Sequence, residues 1–242
     1  FILNPGLELS DLVQETTWPR LKLISGSSEA LDIANVDELQ RSRIMSAIYR
    51  QKADFVILDL SAGTHHSTLD FFLMAKHKIA VFTPDPSSIE NAYRFLKASF
   101  FRKLRRYEHQ LKMKNQIDEL LANKQSLNIK NPGDLIRAIL QREPVLGLKL
   151  KNIFSELNFE IIMNQARTRQ EMDMGHGLQS VCNQYFGFNC EFLGALEYDN
   201  AVWQSLRQRN HLLMANRQSH LYAQLMSISR KIAKTQPLKA VI

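Results

Sequence analysis

Two cysteines in 242 residues, Cys182 and Cys190, are too few for a disulfide framework and point to a reducing compartment, the cytoplasm. No apolar run approaches the roughly 20 residues that a membrane-spanning helix needs, and no secretory signal opens the chain. The first residue is Phe1 rather than Met, so a natural N-terminus is expected upstream. An excess of acid is also lacking: 31 basic residues stand against 24 acidic ones, a net charge of +7. That balance favours an anionic partner without choosing among nucleotide, acidic protein, lipid surface and nucleic acid. Internal repeats and low-complexity tracts are missing. The nine glycines never form the G-x-x-x-x-G-K-[ST] pattern whose backbone N–H groups wrap phosphates, so these residues contain no phosphate cradle of that type.

What is present is an ordinary globular composition, 45% hydrophobic and 23% charged. The stretch Phe55-Val56-Ile57-Leu58-Asp59-Leu60-Ser61-Ala62-Gly63-Thr64 organises the reading. Four unbroken apolar residues predict a strand buried on both faces, as in the middle of a parallel sheet. The run ends in Asp59, a loop of small residues with Gly63 follows, and Ser67 or Thr68 can cap the next helix. Further strands are expected at Leu21–Ile24, Ile79–Phe82, Phe159–Met163 and Phe192–Leu196. Helical spacing recurs in 37–50, 69–75, 89–111, 175–185, 202–207 and 219–233. Alternation of strand and helix predicts an α/β fold, a mostly parallel sheet flanked by helices. Residues 108–152 change character to polar helices broken at Asn131-Pro132-Gly133 and Glu143-Pro144, and read as a helical insertion packed at the sheet's periphery.

In open α/β sheets ligands gather outside the carboxyl ends of the strands. Asp59, Thr83, Asn164 and Asp199 stand at such ends. Asp59 with Gly63 four residues on suits Mg²⁺ beside a phosphate, or is a solvated aspartate. Asn164 can read an adenine edge with its donor and acceptor, or cap its own backbone. Adjacent His65-His66 rarely chelate one ion, and the two cysteines read as inert core thiols. From Arg94 to Lys114 eight basic residues face one acid, Glu108. They form either a solvated face or a contact patch for an acidic partner, lipid or DNA.

The segment Asp54–Thr64 resembles the Walker B and switch II segment of the MinD/ParA ATPases. The run Thr83-Pro84-Asp85-Pro86-Ser87-Ser88-Ile89-Glu90-Asn91-Ala92-Tyr93-Arg94-Phe95 resembles the FlhG (FleN, YlxH) branch, regulators of flagellar number and placement. Met163-Asn164-Gln165-Ala166-Arg167 and Gly194-Ala195-Leu196-Glu197-Tyr198-Asp199 are similar to that branch's last two strand ends. The resemblance runs over nearly the whole chain. It implies a P-loop NTPase fold over residues 1–242 whose first strand and K-G-G-x-G-K-[ST] loop lie before Phe1. It implies an ATP-hydrolysing switch with ATP/ADP and Mg²⁺ as cofactors. Asp59 would hold the Mg²⁺ water shell and Gly63 the γ-phosphate, with Asn164 contacting adenine. Asp199 would lie beside the base, and Thr83 is carried along at its strand end. The implied partners are a second copy in an ATP-dependent homodimer, a flagellar SRP-type GTPase or a transcription regulator, and the surface of the inner membrane. DNA ranks below these. The basic tail Arg230–Pro237 has too short an apolar face for a MinD-type membrane helix. The rival expectations are a non-hydrolysing scaffold relative and a DNA-partitioning ParA.

Overall fold

The structure, a computed structural model, describes residues 1, 4, 6–26, 36–209 and 218–234. The tail residues Thr235–Pro237, on which a sequence expectation was placed, lie outside the described residues. Those described fall into two compact units, one up to Ser61 and one from Ala62 onward.

The first unit carries little core. A 3-10 helix, Leu9–Leu12, is fixed by a reciprocal box between Glu8 and Asp11. Strand β1 (Gln14–Glu15) pairs antiparallel with β2 (Lys22–Leu23). Helix α1 (Glu38–Tyr49) starts on a capping box in which Asp37 accepts from the Gln40 N–H and the Gln40 side chain accepts in return. Only Leu9 and Ala47 are buried among its described hydrophobic residues. The buried central strand expected at Phe55–Leu58 is corrected here. The segment forms no strand, and Phe55, Val56 and Ile57 are exposed, Ile57 to 89%. A strand buried on both faces exists only when neighbours take its N–H and C=O groups, and no described strand pairs with this run. Likewise Leu21–Ile24 contributes to a small hairpin and not to the parallel sheet.

The second unit is an α/β layer structure. Helix α2 (His66–Met74) leads to β3 (Ile79–Phe82), then to the long α3 (Pro86–Gln110). Helices α4 (Lys114–Ala122), α5 (Pro132–Arg142) and α6 (Pro144–Ser155) precede β4 (Asn158–Ala166). Helix α7 (Arg169–Phe186), β5 (Asn189–Glu197), α8 (Asn200–Gln208) and α9 (His220–Lys234) complete it. The sheet is parallel, in the order β3-β4-β5. Alternation along β4 puts Phe159, Ile161 and Met163 on one face, each fully buried, and Ile162 on the other. Aromatic rings fill the first face. Phe72 of α2 meets Phe95 of α3 edge-on at 4.8 Å and stacks on Phe159 at 5.6 Å, while Phe100 of α3 meets Phe154 of α6 at 4.4 Å. On the second face α9 lays Ile228 and Ile232 against Ile162, Leu193 and Leu196. A bulge after Phe192 leaves Gly194 at φ +151°, where a Cβ would stand 3.3 Å from Ile228, so glycine lets α9 close on β5.

Residues 108–152 hold α4, α5 and most of α6, and these helices have a core of their own. Met113, Ile117, Leu120, Leu135, Ile139 and Leu150 are all but inaccessible. Gly133 of α5 lies against the Tyr185 carbonyl of α7, so these helices belong to the same helical layer as α3 and α7.

Three arginines of the basic stretch are engaged within the fold. Arg102 grips Asp70 of α2 through Nε and a terminal nitrogen at 2.7 and 2.8 Å, and Arg106 reaches the same carboxylate at 2.7 Å. Arg105 joins buried Glu108 at 2.8 Å and Asp118 of α4 at 2.7 Å. Asp70 is only 1% exposed. These three arginines are ties between helices and not a free patch. Truncating one partner of such a pair strands a buried charge. Arg102→Ala is expected to cost about 3 kcal/mol of unfolding free energy, and the more exposed Arg106→Ala about 1 kcal/mol. Urea denaturation followed by circular dichroism measures both.

Candidate functional site: the carboxyl edge of the parallel sheet

With β3, β4 and β5 parallel, their carboxyl ends lie along one edge, and Thr83, Asn164 and Asp199 come to that edge together. Each is already engaged by its own segment. Thr83 follows β3 directly. Its Oγ1 donates to Asp85 at 2.7 Å, and its N–H donates to the Ser88 hydroxyl at 3.0 Å. Ser88 therefore folds back on the loop and does not cap α3, which opens at Pro86 with the Asp85 carbonyl accepting from Ile89.

Asn164 sits inside β4 and not after it. The strand bulges between Met163 and Ala166, where Asn164 and Gln165 oppose the single residue Leu196. Gln165 takes φ +61°, an uncommon left-handed conformation for a non-glycine residue. Its N–H donates to Asn164 Oδ1 at 3.0 Å. The carbonyl end of the carboxamide is thus used locally, and the amide nitrogen is left as the group able to meet a ligand. The strand resumes at Ala166, whose carbonyl accepts from the Tyr198 N–H at 2.8 Å.

Asp199 is the N-cap of α8, with Oδ1 accepting from the Ala201 N–H at 2.8 Å. Gly63 is exposed at φ +115°, a conformation that favours glycine. Asp59 belongs to the first unit, exposed and outside any strand.

Between the ends of β4 and β5 lies a cleft of about 450 Å³ lined by Ala166, Arg167, Met172, Glu197 and Tyr198. The Arg167 guanidinium lies over the Tyr198 ring, 3.8 Å from its centroid. The turn carrying Arg167 is held by Glu171, whose carboxylate accepts from the N–H of Arg167 at 2.6 Å and of Thr168 at 3.3 Å. Thr168 completes the α7 capping box by accepting from Glu171 at 3.1 Å. On the other wall Gln224 of α9 accepts from the Glu197 N–H at 2.9 Å. The cleft thus offers a stacked planar cation and ring on a turn fixed from both sides.

No family model matches this chain, and no curated protein matches it. Sequence reasoning chose the strand ends and quoted Arg167 and Tyr198 only as members of those segments. A pair stacked across two strand ends leaves no local pattern.

The cofactors that the resemblance implies can be tested against these residues. The stacked guanidinium and tyrosine ring give the cleft a flat surface of the kind a planar base stacks on. Among the described residues no group of three or more His, Cys, Asp or Glu side chains is placed to hold a metal ion.

Asp199 supplies a direct test of its local role. Asp199→Ala is expected to lower stability by about 1 kcal/mol through loss of the α8 cap, and Asp199→Asn to restore most of it. Chemical denaturation of the two variants measures the difference.

Proposed function

We propose that the protein is an adenine-nucleotide-responsive switch of the MinD/ParA type, of the kind that regulates flagellar number and placement. The observation that carries this reading is the cleft at the carboxyl ends of two parallel strands, walled by Arg167 and Tyr198. That edge is where open α/β sheets collect ligands. A volume of about 450 Å³ lies within the range of small-ligand pockets, roughly 300–1,000 Å³. Arg167 and Tyr198 would hold the base by stacking, and the Asn164 amide would donate to a ring nitrogen. Glu171 and Gln224 act as positioning residues, fixing the two turns from which the cleft is made.

Bound ATP supplies the γ-phosphate whose loss would reset such a switch. Asp59 and Gly63 are the residues that the resemblance assigns to Mg²⁺ and to that phosphate. Hydrolysis and the ATP-dependent homodimer are proposed for a protein that supplies the phosphate cradle, with the P-loop NTPase fold as their frame. A flagellar SRP-type GTPase, a transcription regulator and the inner-membrane surface are the proposed partners.

The test is a titration of the chain with a fluorescent N-methylanthraniloyl ATP. Binding is expected in the micromolar to millimolar range, with Arg167→Ala and Tyr198→Ala each weakening it about tenfold, or 1.4 kcal/mol. Thermal melting of the same variants is expected to change little, since both side chains are exposed. Absence of saturable binding, or unchanged affinity in both variants, overturns the reading.

A further inference from the structure

A second cleft, of about 530 Å³, opens between α3 and the segment joining α4 to α5. Lys97 and Phe101, one turn apart on α3, form one wall, and Leu121 of α4 with Ile129 of the connecting segment adds apolar surface. Lys124 and Lys130 bring to three the lysines that line the cleft. None of the three lysine side chains has an ion-pair partner among the described residues, unlike the arginines of the same helix. The acid that follows the segment, Asp134, is engaged by the Arg137 guanidinium and by the N–H groups of Lys130 and Asn131 at 2.9 and 3.2 Å.

The far wall is built by its own backbone. Leu127 N–H donates to the Asn123 carbonyl at 3.0 Å, Asn128 to Gln125 at 3.2 Å, and Ile129 to Lys124 at 2.8 Å. Ser126 Oγ donates to the Asn123 carbonyl at 2.9 Å, and Asn128 turns the chain at φ +53°. On the near side the Phe101 ring is set edge-on against Phe100 at 5.4 Å. The walls are thus set by bonds and ring contacts of the chain itself, so ordering them costs little on binding.

We infer that this cleft is a binding site for a small phosphorylated molecule with an apolar or aromatic body. Three lysines more than offset the charge of a phosphate dianion, and lysine serves phosphate as a point charge where a carboxylate would call for arginine's fork. Phe101, Leu121 and Ile129 receive the body, while Gln125 and Asn128 offer carboxamides at the rim. The three lysines line one cleft of about 530 Å³, which favours a compact ligand over an acidic protein segment. The site is separate from the sheet edge: Lys97 lies about 16 Å along α3 from Pro86, at 1.5 Å per residue.

The probe is 1-naphthyl phosphate, titrated into the chain by calorimetry, with 1-naphthol and inorganic phosphate as its two halves. Saturable sub-millimolar binding is expected, at least tenfold tighter than either half. The K97Q/K124Q/K130Q variant is expected to lose at least tenfold in affinity with an unchanged melting temperature. Should that variant fail to fold, K124Q alone, at an exposed position, is expected to lose about threefold. The R167A/Y198A variant is expected to bind the probe as the wild type does, which separates this site from the sheet-edge cleft. The inference is overturned if the lysine variants bind as tightly as wild type, if wild type does not bind the probe, or if inorganic phosphate binds equally well, an adventitious ion only. Equal binding of 1-naphthol, or displacement of the probe by a glutamate-rich peptide at equal concentration, also overturns it.

Discussion

A parallel strand survives only when neighbours take its backbone groups and helices cover its faces, and this constraint orders the second unit. Strand β4 meets it fully. It is paired on both edges, with Phe159, Ile161 and Met163 under the aromatic layer and Ile162 under α9. Everything else hangs from β4. The rings of Phe72, Phe100 and Phe188 converge on its buried face directly or through one another. The helices that carry them are tied laterally by charge, Asp70 of α2 to Arg102 and Arg106 of α3, and Arg105 of α3 to Asp118 of α4. Burying Asp70 would be costly alone. A bidentate guanidinium and a second arginine make it a fixed link between α2 and α3.

The same constraint explains where the sequence was readable. Strands β3, β4 and β5 were legible because each is a short apolar run between turn signals, and α3 because its stripe from Ile89 to Leu111 keeps a helical period over six turns. Phe55–Leu58 has the same apolar signature, but a run of this kind states only that a segment can be buried. Whether it is buried depends on neighbours that local pattern does not encode, and its exposed side chains follow from their absence among the described residues. The arginines misled in the opposite direction. Eight basic residues against one acid look unpaired along the chain, because Asp70 lies 32 residues before Arg102 and Asp118 lies 13 after Arg105.

The candidate site was legible to within a residue or two and no further. Strand ends are where chain direction, side-chain type and ligand position coincide, so Thr83, Asn164 and Asp199 could be chosen from the sequence alone. What the sequence hid was how each is spent: Thr83 on its loop, Asn164 on a bulge, Asp199 on a cap. A bulge cannot be read from composition, yet it shifts the register so that Ala166 and Glu197 pair beyond it and their successors, Arg167 and Tyr198, stack.

The two clefts differ in the physics of their walls, and that difference argues for separate roles. At the sheet edge the cation is already stacked on a ring, so any ligand there would share or displace that contact. Beside α3 the lysines that line the cleft have no ion-pair partner among the described residues, and Phe101, Leu121 and Ile129 supply apolar surface. The helix thus commits Arg102, Arg105 and Arg106 to acids within the fold, while Lys97 lines a cleft and has no ion-pair partner among the described residues.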